Sequence, residues 1–398
     1  MKSDVIVAGV GIISAIGNNQ FECIRSFETE QCGIGNISYL ETVHKGKLPV
    51  AEVQLSNEHL STLTGMKSTS PRAALLSCVA VSEAMNDAGL EITPDLRIGL
   101  VSANSVGGMD LTERFFSAFK ENPNKGRLRD IVHHECGSIT ELVADHLGIR
   151  DHISTINTAC SSSANTLIFA SRLIQNNILD IVIAGGADSL TKFTINGFNT
   201  LMILDQEKCK PFDDNRKGLN LGEGAGYLVL VSEKYSLKMK KVYCVLSGYS
   251  NTNDAFHQTA SSPDGTGSYL AMKGALERSG LLTSDIDYIN LHGTGTKNND
   301  LAEGIAITRL FKNTIPKVSS TKSFTGHTLG ACGGIEAVFS ALSVKHGYLY
   351  PNLRFGSPLK EHLIFPEIYF SKKNNIKNVL SNSFGFGGNC SSLIFSKS

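Results

Sequence analysis

Within its 398 residues the chain runs through one order of elements twice, and a repeat on that scale restricts the fold more than any local motif. A helix-like run from Pro71 to Leu90 ends in Ala84-Met85-Asn86-Asp87-Ala88-Gly89-Leu90. A similar run from Gly267 ends in Ala275-Leu276-Glu277-Arg278-Ser279-Gly280-Leu281. Each places a glycine where a helix takes a left-handed C-terminal cap. A polar link follows, with Asp95 in the first case and Asp285 and Asp287 in the second, then an apolar strand, Ile98 to Val101 or Tyr288 to Leu291. Ile153 to Thr158 turns into a helix pattern over 161–173, and Lys317 to Thr321 leads likewise into 330–344. Asp180 to Ala184 with Gly185-Gly186 is answered by Asn378 to Ser381 with the glycine loop 385–388. A last strand closes each set, Gly226 to Val231 and Ser391 to Phe395. Two copies of strand-helix alternation predict a duplicated α/β fold, about 1–240 and 241–398, with parallel-rich sheets covered by helices. The first copy is longer, and 105–150 reads as an insertion.

Composition excludes several functions. Lys and Arg number 37, as do Asp and Glu, so no net charge draws the chain to nucleic acid or an anionic membrane. With 41% hydrophobic and 19% charged residues it can bury a large core, which excludes disorder. No apolar run reaches the roughly 18 residues of a membrane span, and the start MKSDVIVAGVGIISAIG lacks a basic leader and a cleavage site. The nine cysteines are odd in number, scattered and without paired C-x-x-C spacing. That pattern predicts reduced thiols in a cytoplasmic protein and no zinc ribbon.

Cys160 stands in Asn157-Thr158-Ala159-Cys160-Ser161-Ser162-Ser163-Ala164, between a strand and a helix pattern. At a helix N-terminus the positive end of the dipole is expected to favour the thiolate, and small neighbours suit a tight turn that presents sulfur as a nucleophile. His292 in Leu291-His292-Gly293-Thr294-Gly295-Thr296 and His327 in Lys322-Ser323-Phe324-Thr325-Gly326-His327 follow strand ends, where α/β sheets form their crevices. Two neutral imidazoles converging on Cys160 could donate to a thioester carbonyl and stabilise an enolate. The stretches Gly222-Glu223-Gly224-Ala225-Gly226 and Gly385-Phe386-Gly387-Gly388 lack the spacing of dinucleotide or phosphate loops. The second suits close backbone approach, with its N–H groups aimed at developing negative charge.

In order along the chain, TACSSSAN around Cys160, LGEGAG at 221–226, HGTGT at 292–296, KSFTGHTLGACGGIEA at 322–337 and NSFGFGG at 382–388 closely resemble the β-ketoacyl-acyl carrier protein synthases, elongating condensing enzymes of the Cys-His-His type. The resemblance implies the duplicated five-layer α-β-α-β-α thiolase fold, normally dimeric. It implies that Cys160 takes an acyl chain from an acyl carrier protein's phosphopantetheine thioester. His292 and His327 then bind the malonyl thioester and promote its decarboxylation, and the enolate attacks the acyl-cysteine. Phosphopantetheine arrives on the carrier, so no bound cofactor and no metal are expected. Lys322 and Glu336 match the family's lysine beside the second histidine and its buried glutamate, in electrostatic and structural support. The N–H groups of Cys160 and Phe386 match the oxyanion hole, with Phe386 also a gate to the acyl pocket. Thr294 and Thr296 match residues that hold the pantetheine arm, and Phe198 and Gly385 are assigned with them to substrate binding. Val106, in Asn104-Ser105-Val106-Gly107-Gly108, resembles the position where one side chain limits the reach of the acyl tail. A valine there implies intermediate or long reach.

The chain departs from the family pattern in three places. Asn389-Cys390 replaces a common Thr-Asn, Lys297-Asn298-Asn299-Asp300 replaces a Pro-containing stretch, and Ala15 stands where Pro is usual. These departures bear on acceptor and acyl preference. The resemblance implies fatty acid biosynthesis or, since the chain is a little short for the housekeeping fatty-acid enzymes of this type, a polyketide or polyene pathway. A thiolase could use Cys390 as its second thiol, but it needs a C-terminal Cys-x-Gly pattern and lacks the Lys322-to-His327 spacing. An inactive chain-length partner would have lost the nucleophile, whereas Cys160, His292, Lys322 and His327 are all present. A homodimer, or a heterodimer with such a partner in which this chain is the active half, is expected.

Overall fold

The computed structural model describes residues 4–312 and 314–398. Met1 to Ser3, where the sequence reading of the N-terminus begins, lie outside them. The first copy contributes β1 (Val5–Ser14), β2 (Ile98–Ala103), β3 (His152–Ile156), β4 (Ile181–Asp188) and β5 (Gly224–Ser232). The second contributes β6 (Cys244–Asn253), β7 (Tyr288–Asn290) and β8 (Lys317–Ser319), the small pair β9 (Tyr348–Leu349) and β10 (Ser371–Lys372), then β11 (Asn378–Phe384) and β12 (Asn389–Ser396). Ten of these form one sheet in the order β3-β2-β4-β5-β1-β6-β12-β11-β7-β8.

Read inward from its two edges, the sheet repeats itself. β3-β2-β4-β5-β1 is matched by β8-β7-β11-β12-β6, so each strand of one copy has its counterpart at the same place in the other. The copies join where β1 meets β6, through Ile6–Val245 and Val7–Cys244 alone. The helices Arg72–Ala88 and Thr266–Ser279 end on Gly89 (φ 67°) and Gly280 (φ 73°), the caps read from the sequence.

The parallel-rich expectation is corrected. β2 pairs parallel with β3 and β4, and β7 with β8 and β11, but β5 and β12 run antiparallel to both their neighbours. Loop 385–388 links β11 directly to β12. So short a link returns a strand as a hairpin and cannot make the crossover that parallel pairing needs. β5 keeps the same pairing although a long excursion, 189–223, precedes it.

The helix Arg72–Ala88 packs on the outer face of the first copy, and Thr266–Ser279 with Lys297–Phe311 on that of the second. Between the inner faces lie Ser162–Gln175 and Cys332–His346, sharing one core with β1, β4, β5, β11 and β12. This gives five layers. Every residue from Cys332 to Val344 is buried, as a helix apolar all round must be. The approach is backbone to backbone, because a Cβ on Gly226 would lie 2.4 Å from the Ile335 nitrogen. Residues 105–150 hold the helices Met109–Glu121 and Cys136–Leu147. Among the described residues no helix is long and apolar enough to cross a membrane.

Candidate active site

The two central helices begin at one crevice. Between β3 and Ser162 the chain turns through Ala159, a non-glycine residue at φ 54°, and the Ser162 hydroxyl accepts from the Thr158 N–H at 2.8 Å. This strained turn presents Cys160, which is 5% exposed. Loop 385–388 closes over it so tightly that a Cβ on Gly385 would lie 3.1 Å from the Cys160 nitrogen. Asn389 secures the arrangement, its side-chain oxygen accepting from Ser161 Oγ at 2.7 Å and Asn165 Nδ2 at 2.9 Å. Burial pushes the Cys160 thiol up to about 11, although the N–H of Phe386, the Lys322 charge and the N–H of Cys160 itself all pull the other way. The expectation of a favoured thiolate is therefore corrected for the site as it stands. A helix dipole is a local effect, while desolvation comes from the whole surrounding layer. The two N–H donors that act on this sulfur are those read as the oxyanion hole.

His292 follows β7 and His327 precedes the helix Cys332–His346, and their rings cross at 87° with centroids 5.4 Å apart. A ring nitrogen of each and the Cys160 sulfur all lie within 4.8 Å of one another. Their surroundings fix the tautomers. His327 Nδ1 accepts from the Leu329 N–H at 3.1 Å, and His292 Nδ1 faces Lys322 Nζ at 3.3 Å, so each ring carries its proton on Nε2. Burial, then the Lys322 charge, hold both imidazoles well below the usual histidine range, with His327 adding to the effect on His292. Two neutral N–H donors result. The same protons occupy the lone pairs that a soft metal would need.

Lys322 donates to the His292 carbonyl at 2.7 Å and ion-pairs with Glu336, both side chains being buried. Burial works against the ammonium, but the Glu336 carboxylate outweighs it and Lys322's pKa is raised. The LGEGAG stretch, set aside as a phosphate cradle, holds the His327 backbone instead. Gly222 donates to the His327 carbonyl at 2.9 Å, while His327 donates to the Asn220 carbonyl at 2.7 Å. Glu223 pairs with the buried Arg72 at 2.7 Å.

Cys160 sits where two cavities meet. One, of about 380 Å³, is lined by both histidines, Thr294 and Thr296, whose hydroxyls lie 2.9 Å apart. The other, of about 350 Å³, is lined by Val106, Phe193, Phe198, Leu201 and Leu329. Phe198 and Phe386 line both, their rings stacked 5.8 Å apart at 17°.

Comparison with known proteins agrees with this geometry. Residues 2–235 match the family description "Beta-ketoacyl synthase, N-terminal domain", and residues 243–356 match "Beta-ketoacyl synthase, C-terminal domain". The chain belongs to the β-ketoacyl synthase family. It is 33% identical over 410 residues to the 3-oxoacyl-[acyl-carrier-protein] synthase 2 of Staphylococcus aureus, covering 99% of this chain and 98% of that protein. Among solved structures, a chain of the ishigamide ketosynthase/chain length factor is 25% identical with a TM-score of 0.94, both chains being fully covered. A chain from a ketosynthase in complex with its chain length factor from Xenorhabdus doucetiae is 30% identical with a TM-score of 0.83, covering 100% of this chain and 98% of that one. By family, then, this synthase is an acyl-transferring condensing enzyme.

Sequence reasoning missed two carboxylates of the synthase. Glu303 accepts from the His292 N–H at 2.9 Å and the Gly293 N–H at 2.8 Å, and Asp300 accepts from Gly295 at 3.2 Å and Phe212 at 2.8 Å. Together they hold the HGTGT loop against the start of the helix Lys297–Phe311. The signal was present as two acids spaced i, i+3 just after the glycines, one helical turn apart and near the positive end of a helix.

Proposed function

We propose that this chain condenses a malonyl thioester of acyl carrier protein with an acyl chain held on Cys160, releasing carbon dioxide. The observation that carries this reading is the pair of imidazoles, each with its Nδ1 engaged by a neighbour and each with a ring nitrogen within 4.8 Å of the Cys160 sulfur. In the first step the Cys160 sulfur attacks the acyl thioester, the N–H groups of Cys160 and Phe386 hold the oxyanion, and the thiol proton passes to the departing pantetheine sulfur. In the second, His292 and His327 donate to the malonyl thioester carbonyl, so that loss of carbon dioxide leaves an enolate instead of a bare carbanion. The enolate carbon attacks the acyl carbonyl, the bond to sulfur breaks, and the Cys160 thiolate takes a proton from solvent. Thr294 and Thr296 line the pantetheine arm's path, and Phe386 stacked on Phe198 separates it from the acyl pocket. The division of chemistry between 1–240 and 241–398 follows from the same reading.

The walls of the acyl pocket favour a hydrocarbon tail, saturated or unsaturated. Ser105 Oγ donates to Asp188, Thr194 Oγ1 to the Thr191 carbonyl, and the Gly330 N–H to Asp188, so these wall groups have no free donor. A poly-β-ketone would leave its carbonyls unpaired there, at about 1–3 kcal/mol each. A second subunit is supported by β3, whose outer edge carries no strand among the described residues, and by Phe116, Phe119, Leu128 and Val132, exposed on the neighbouring insertion. That subunit is a second copy or a chain-length partner of the kind found with the Xenorhabdus ketosynthase. The nine free thiols support a reducing, cytoplasmic setting.

The reading is tested by incubating the protein with carrier protein charged with a graded series of acyl chains and with malonyl-charged carrier. Intact mass should show the acyl group on Cys160, followed by carbon dioxide and a lengthened β-keto thioester. No adduct with any chain, in protein whose Cys160 still reacts with iodoacetamide, would refute it.

A further inference from the structure

Asp188 ends β4 fully buried, and among the described residues no cation pairs with it. An ionised carboxylate is costly to bury without a cation. Four donors converge on this one instead: the Ser105 N–H at 2.9 Å, Ser105 Oγ at 2.9 Å, the Gly330 N–H at 2.7 Å and the Val106 N–H. They come from two segments that line the acyl pocket, one from each copy of the fold, since Ser105 precedes Val106 and Gly330 follows Leu329. Leu329 is held at φ 52°, a conformation a leucine rarely adopts, and its N–H is the donor that fixes the His327 tautomer. One carboxylate thus anchors both the surface the acyl tail touches and the turn that orients the second histidine.

We propose that Asp188 is a positioning residue that couples the acyl pocket to His327, an inference resting on the reading of the site given above. An acyl tail that presses on Val106 or Leu329 displaces the donors of Asp188 and, through the Leu329-Gly330 turn, the imidazole. Chain length is then sensed in the malonyl step as well as in loading.

The test compares Asp188→Asn with Gly330→Ala. An asparagine has one acceptor oxygen and must turn its amide toward a donor, so it loses at least one of these bonds. A Cβ at position 330 would lie 2.8 Å from Asp188 Oδ2 and breaks the same contact from the other side, which covers the case in which the first variant does not fold. In each folded variant, nitrogen NMR of labelled histidines should show His327 losing its single Nε2–H tautomer. Decarboxylation of malonyl-carrier protein should fall about 10- to 100-fold, the cost of a misplaced catalytic group, and by far more than loading of Cys160 with a short butyryl chain. An unchanged His327 spectrum, or equal loss in both half-reactions, overturns the proposal. A wild-type protein that neither loads nor decarboxylates would refute the functional reading, and the His327 spectrum would still decide the role of Asp188.

Discussion

At the turn after its third strand the first copy of the fold presents a thiol, Cys160, and at the same turn the second copy presents Lys322 and His327. The central helices that follow start close together, and Cys332, first residue of the second, donates its thiol to the Cys160 carbonyl at 3.1 Å. Duplication has brought two equivalent turns to one point, and the function proposed above gives each a different half of the chemistry: attack in the first copy, charge stabilisation in the second. The outer edges diverge as well. β8 is covered by its own chain, with Glu367 donating its N–H to the Val318 carbonyl at 2.8 Å and ion-pairing with Lys317 at 2.8 Å, whereas among the described residues no strand pairs with the outer edge of β3. The second copy covers its edge by itself, whereas the edge of the first is the one proposed above to meet a second subunit.

Breaking the comparison on the first side should have the largest effect. Cys160→Ala removes the only nucleophile of that turn and should lower condensation by about 10⁴-fold or more, with circular dichroism unchanged. An active, folded Cys160→Ala enzyme would contradict the assignment. On the second side, His292→Ala and His327→Ala should each lower condensation by about 10²–10³-fold, the usual loss for one donor to a developing oxyanion. Loading of Cys160, followed by mass, should fall far less, and equal losses would dissolve the division of labour.

The acyl pocket is lined mainly by the first copy, by Val106 and by Phe193 and Phe198 of the helix Lys192–Thr200, with Leu329 and Gly330 added from the second. Val106→Phe should change loading selectivity first and reach the histidine chemistry only through the contacts to Asp188. Overpacking of about 1–3 kcal/mol corresponds to a long-to-short loading ratio reduced about ten- to a hundred-fold. A ratio that does not move would place Val106 outside the tail's path. The smallest effect sharpens the electrostatics of the first copy. Because burial holds the Cys160 thiol up at about 11, it is protonated at neutral pH, and its thiolate fraction rises about tenfold per pH unit below that value. Alkylation of Cys160 by iodoacetamide should climb accordingly between neutral and mildly alkaline pH. A flat profile would mean that the helix dipole prevails after all.

Much of this was legible in the sequence because its signals are local. Gly89 and Gly280 mark helix ends by their own backbone preference, and the Cys160, His292 and His327 motifs each sit within a few residues of their strand. The antiparallel return of β12 was legible only in part, because loop 385–388 was read for its N–H groups and not as a hairpin link. What stayed hidden depends on distant chain. The raised pKa of Cys160 comes from the layer around it, and Glu303 and Asp188 work through backbone N–H groups that no spacing of side chains announces.

The central claim, that the two copies perform separable halves of one reaction, is met most directly by Cys160→Gln. A glutamine amide at that turn mimics the acylated cysteine and leaves His292, His327 and Lys322 in place. With malonyl-carrier protein labelled at its free carboxyl, the variant should release labelled carbon dioxide while forming no condensation product. A folded Cys160→Gln protein that releases none would contradict the account.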